Sequence, residues 1–61
     1  MKAFNVVAVF YQGDKGKALY ESKWLIMEET KEKAKAYVHN FLTMQNFYNF
    51  SIKEVIEIKN D

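Results

Sequence analysis

FNVVAVFY, residues 4 to 11, holds seven apolar side chains in eight positions and no charge. Side chains on a strand alternate between faces. Phe4, Val6, Ala8 and Phe10 therefore share one side, while Val7, Val9 and Tyr11 share the other. A strand that is apolar on both sides belongs in the middle of a sheet, because only there do neighbours flank it along its whole length.

Working outward, QGDKGK at 12 to 17 contains the only glycines of the chain and marks a turn. A three-residue loop of Asp14, Lys15 and Gly16, with Gly16 in the left-handed conformation, sets Gly13 opposite Lys17. Counting back along both strands pairs Phe10 with Tyr20, Ala8 with Ser22, Val6 with Trp24 and Phe4 with Ile26. Tyr11, Val9, Val7 and Asn5 then face Leu19, Glu21, Lys23 and Leu25. A one-residue slip would set Trp24 against Asn5 and Lys23 against Val6, mixing polar and apolar groups on both faces.

Beyond the second strand, Thr30 is a natural helix N-cap, its hydroxyl placed to accept a bond from an amide of the first turn. Ala34, Tyr37, Val38, Phe41, Leu42 and Gln45 recur at helical spacing, so one apolar stripe runs along a helix over 31–45. Asn46 or Asn49 can end it by adopting the left-handed conformation. From Phe50 the period drops to two, which predicts a third strand with Phe50, Ile52, Ile56 and Ile58 inward. Glu54 and Val55 each interrupt the alternation, the mark of an edge strand or a bulge.

The expected fold is α+β, with element order β-β-α-β in a single domain spanning 1–61. Its three-stranded antiparallel sheet has the order 2-1-3, and one helix packs on one face. The competing order puts the second strand in the centre, with a right-handed crossover to a parallel third strand. On the helix side the expected core is Phe4, Val6, Ala8, Phe10, Tyr20, Trp24, Ile26, Ile52, Ile56 and Ile58, closed by Tyr37, Val38, Phe41 and Leu42. One helix cannot cover both sides of a sheet. The far face, with Val7, Val9, Tyr11, Leu19, Leu25, Met27 and Val55, is therefore the candidate interaction face.

Composition narrows the function classes. At 49% hydrophobic and 16% aromatic the chain is a folding sequence. Sixty-one residues make only a marginal core, so self-association is a plausible reinforcement. No cysteine and one histidine argue against disulfides and a zinc cage. A net charge of +1, with lysine as the only strong base, supplies neither the field nor the planar fork favoured for nucleic-acid recognition. Neither a membrane span nor a signal cleavage site is visible, Tyr11-Gln12-Gly13 being the wrong chemistry for cleavage. A cytoplasmic location is expected.

Candidate chemistry is sparse. His39 has no nucleophile near it in sequence and is read as solvated, beside Lys35 and off the apolar stripe. Glu28, Glu29 and Glu32 flank a helix start, where negative charge meets the positive end of the dipole. Lys31, Lys33 and Lys35 could hold an anion there, but a solvated face in which Glu29 pairs with Lys33 at i, i+4 is the preferred account. In NFYNF, residues 46–50, Phe47 and Phe50 are expected to cap the core, with Tyr48 partly exposed. No catalytic residue, cofactor or metal site is expected.

The reading that follows is a non-catalytic protein-interaction module, homodimeric through the exposed sheet face or edge, with a foreign protein as the other possible partner. Lysine, asparagine and isoleucine usage together with the small size suggests a phage or mobile-element accessory or inhibitor protein. The alternative is a single-stranded nucleic-acid binder using Tyr11, Lys23, Lys53 and Tyr48, aromatics and cations that could stack bases and neutralise phosphates.

Overall fold

A computed structural model describes residues 1–13 and 17–59. The expected loop residues Asp14, Lys15 and Gly16 lie outside the described residues. The elements are β1 (Lys2–Gln12), β2 (Lys17–Glu28), α1 (Lys31–Met44) and β3 (Phe50–Ile58). Both neighbours of β1 are antiparallel to it, in the order β2-β1-β3. The doubly apolar FNVVAVFY stretch thus lies in the central strand, and the crossover alternative is excluded.

The ribbon register is the one that keeps the two faces unmixed. Phe4 stands opposite Ile26, Val6 opposite Trp24, Ala8 opposite Ser22 and Phe10 opposite Tyr20. Near the turn the expectation fails by one residue. Tyr11 faces Ala18 and Gln12 faces Lys17, so Leu19 is an extra, unpaired residue of β2. The left-handed glycine among the described residues is Gly13, at φ 66°. A bulge therefore accommodates the twist that the simple count assigned to the loop alone.

Both ends of the helix follow from local chemistry. Thr30, extended at φ −135°, accepts a 3.2 Å bond from the Lys33 amide. At the other end Asn46 takes φ 66°. Its amide donates to the Thr43 carbonyl at 3.0 Å, while the Phe47 amide reaches back to the Leu42 carbonyl, also at 3.0 Å. The Thr43 carbonyl is satisfied this way, and the Leu42 carbonyl, which also accepts from the Gln45 amide at 3.1 Å, gains a second donor. The chain is turned so that the Phe47 and Phe10 rings meet edge to face at 5.4 Å between centroids.

The core comprises Phe4, Val6, Ala8, Phe10 and Ile26 from the sheet with Ala34, Val38 and Leu42 from the helix. Trp24, Phe50, Ile52 and Val55 pack around it. The helix lies astride β1: Phe41 reaches Trp24 of β2 at 5.5 Å, and His39 reaches Phe50 of β3 at 5.3 Å. His39 is exposed as expected, yet it is not clear of the core, since it rests against an aromatic ring.

Five residues assigned to the core are not buried in it: Tyr20, Tyr37, Phe41 and Ile56 are exposed, and Ile58, half-buried, lies on the other face of the sheet. Ile56 has a backbone cause. β3 shifts register between the partners of Val7 and Ala8, leaving Lys53 as an extra residue. Past this bulge every side chain changes sides. Val55 comes to stand opposite Val6 and under the helix, whereas Ile56 and Ile58 stand opposite Asn5 and Ala3 on the far face.

Candidate interaction surface

The far face of the sheet is divided across its length. In the half near the β1–β2 turn, the Lys53 ammonium donates to the Glu21 carboxylate at 3.0 Å. Lys53 lies on β3 and Glu21 on β2, so their bond passes over β1 and straps the sheet from edge to edge. The hydrogen bond it donates to Glu21 and that residue's negative charge hold Lys53 above the ordinary lysine pKa. Beside the strap, the Tyr11 hydroxyl and Ser51 Oγ are 3.0 Å apart and share a hydrogen bond.

Beneath these groups Val7 is only 3% exposed and Val9 only 6%. Val7 is flanked by Lys23 and Glu54, and Val9 by Glu21 and Ser51. Long polar side chains bury their carbon stems on apolar neighbours while their charged ends stay wet. The chain thus supplies its own cover for the two valines. They were expected to need a partner because one helix cannot reach them; that premise fails here, since side chains of the sheet itself do the covering.

In the other half the far face is apolar and open. Leu25 is 67% exposed, and Met27 and Ile56 are each about half exposed. Ala3 and Asn5 of β1 lie between them. Of the residues expected to form the interaction face, Leu25, Met27 and Leu19 are therefore exposed. Val7 and Val9 are shielded, Tyr11 is half-buried, and Val55 is on the helix side.

On the helix side of β2 a second exposed band appears, two of whose residues, Tyr37 and Phe41, periodicity assigned to the core. Tyr37, Asn40, Phe41 and Met44 form one stripe around a shallow hollow. Contact of Phe41 with Trp24 fixes this stripe on the β2 side of the helix. Tyr20 stacks on Phe10 at 4.8 Å yet keeps its other face open. Exposed apolar side chains thus flank β2 on both sides of the sheet: Tyr20, Tyr37 and Phe41 above, Leu25 and Met27 below.

The two edges of the sheet are otherwise unlike. β3 is broken by its Lys53 bulge, a feature that discourages pairing with another strand, and it contributes Ile56 as its one exposed large apolar side chain among the described residues. In β2 the bulge lies at Leu19, close to the turn, so Tyr20–Glu28 pairs with β1 without interruption.

Of the residues considered for nucleic acid, Tyr11, Lys23 and Lys53 share the far face and Tyr48 lies apart. Tyr11 and Lys53 are engaged with Ser51 and Glu21. Tyr48 is exposed by the hollow it shares with Leu19 and Tyr20, at the turn end of the molecule, while Lys23 projects mid-way along β2. The glutamates at the helix start remain structural in arrangement, with Glu29 paired to Lys33 at 3.6 Å. Among the described residues no group of three or more acidic or histidine side chains could hold a metal ion. Nor, among those residues, is any helix long and apolar enough to cross a membrane. Comparison with protein families, with curated proteins and with solved structures gives no match.

Proposed function

We propose that the protein is a non-catalytic protein-interaction module that works as a homodimer joined along the free edge of β2. The carrying observation is the concentration of exposed apolar side chains on both sides of that strand, beside an unbroken run of backbone from Tyr20 to Glu28. An edge strand offers a row of unpaired amides and carbonyls as a template for another strand. A second β2 laid along it would satisfy those groups and cover Tyr20 and Leu25 in one step.

Such a module acts by what it binds, as a small accessory or inhibitor protein does, and the dimer presents two copies of every remaining surface. Light scattering over a wide dilution series tests the reading. A dimer that dissociates on dilution is expected, and Tyr20→Lys combined with Leu25→Lys should leave a folded monomer. A protein that stays monomeric at the highest concentration refutes it.

A further inference from the structure

Resting on the β2-edge reading above, we infer that the two copies pair in one register, with Ser22 of each chain opposite Ser22 of the other. Two identical antiparallel strands are related by a two-fold axis normal to the sheet. Residues directly opposite must then share a face, and one residue must stand opposite its own copy. Centres from Leu25 onward set Tyr20 and Glu21 against positions beyond the end of β2 at Glu28, so they leave the exposed Tyr20 ring uncovered; the centres nearer the middle of the charged stretch differ in their consequences.

A centre at Glu21 or at Lys23 sets like charges against each other, which is destabilising on neighbouring strands. A centre at Trp24 puts Lys23 against Leu25 and Glu21 against Met27, opposing charge to apolar groups. A centre at Ser22 matches Glu21 with Lys23 twice and Tyr20 with Trp24 twice. Among the described residues Lys23 has no ion-pair partner in its own chain, whereas Glu21 already accepts from Lys53. The dimer would extend that contact into a chain of charges, Lys53 to Glu21 to the second copy's Lys23.

Ser22 is small enough for the strands to approach at the axis, and its hydroxyl accepts a 2.9 Å bond from the Trp24 indole, which steadies the indole. Both helices lie on one face of the resulting six-stranded sheet. Each sits over its own β1, and the two β1 strands are about 14 Å apart at three strand spacings. Helices are about 10 Å across, so the gap between them has the width that Tyr20, Trp24, Tyr37 and Phe41 can fill. Leu19, the extra residue of β2, is carried toward Leu25 of the second copy.

Disulfide trapping reads this register, because the chain has no cysteine of its own. Ser22→Cys should cross-link to its own copy under mild oxidation. Tyr20→Cys and Trp24→Cys alone should not, as each lies two residues from the axis, about 14 Å from its copy along the strands, against a limit of about 7 Å between Cα atoms. A mixture of those two variants should cross-link to each other. Charge exchange gives an independent reading: Lys23→Glu should weaken the dimer roughly tenfold through two symmetry-related repulsive pairs, and adding Glu21→Lys together with Lys53→Glu, which keeps the strap with its signs exchanged, should restore it. Self-cross-linking strongest at another β2 position, or equal weakening by the single and the triple charge variant, overturns the register and leaves the edge dimer standing. A monomer in light scattering of the unmodified protein overturns both.

Discussion

Replacing Val7 with alanine tests whether the sheet really covers its own far face. The valine is 3% exposed, so nearly all of its side chain is out of water. The substitution removes two methyl groups, each worth about 0.8 kcal/mol of transfer free energy when buried. The lysine and glutamate stems above it are flexible enough to sink into the space, so little is added for a residual cavity. A loss of about 1.5 kcal/mol follows, which in a domain of this size lowers the melting temperature by about 6 to 12 °C. Thermal unfolding followed by circular dichroism at several protein concentrations is the assay. Because the cover comes from the same chain, the loss should be the same at every dilution. Leu25→Ala is the contrasting variant. At 67% exposure it should cost the separate chain no more than about 0.5 kcal/mol, with any larger effect growing with concentration as dimer formation contributes. A Val7→Ala loss below about 0.5 kcal/mol, or one that grows with concentration, would refute the claim that Val7 is shielded from within.

The strap has a pH signature. The folded pKa of Lys53 lies above the ordinary value of 10.5, so its stabilising contribution is intact below that pH and is lost as the pH rises through the folded value; Glu21→Gln should bring the Lys53 titration, followed by NMR, back to the ordinary value. Asn46→Ala should cost about 1 kcal/mol by forcing a Cβ-bearing residue without a compensating amide into the left-handed region, whereas Asn46→Gly should be neutral or mildly stabilising in denaturant titrations. Leu42→Ala, at a fully packed helix position, should cost about 2 to 5 kcal/mol and leave little folded protein by circular dichroism. Single-stranded DNA should show no binding by fluorescence anisotropy even in low salt; affinity that falls steeply as salt is added would revive the nucleic-acid reading.

Most of the fold was legible because its signals are local. The β1–β2 register could be counted because a slip of one residue would have turned Trp24 and Lys23 onto the wrong faces. Thr30 and Asn46 announce the two helix ends through the hydrogen bonds that only such residues make cheaply. What could not be read was each place where one extra residue enters a strand. Lys53 in β3 reverses the facing of everything after it, so Val55 and Ile56 exchanged roles although both are apolar and both fit a strand. Leu19 in β2 does the same to the pairing of Tyr11. The cover on Val7 and Val9 was hidden for another reason. It depends on Lys53 and Glu21, thirty-two positions apart in sequence, meeting across a strand that neither belongs to.

The same bulge makes the two edges of this small sheet unlike, β3 interrupted at Lys53 and β2 continuous from Tyr20 to Glu28. By inserting Lys53, β3 spoils its own ladder for a further strand and, in the same step, frees that lysine to reach Glu21 over the sheet. A single extra residue thus blunts an edge and supplies the cover that a second helix would otherwise provide. β2 carries no such device beyond Leu19. Its charges, Glu21 and Lys23, are of opposite sign and adjacent on the same face, an arrangement that repels a copy in some registers and attracts it in another. An edge guarded only against wrong registers discourages random aggregation while leaving one specific pairing available.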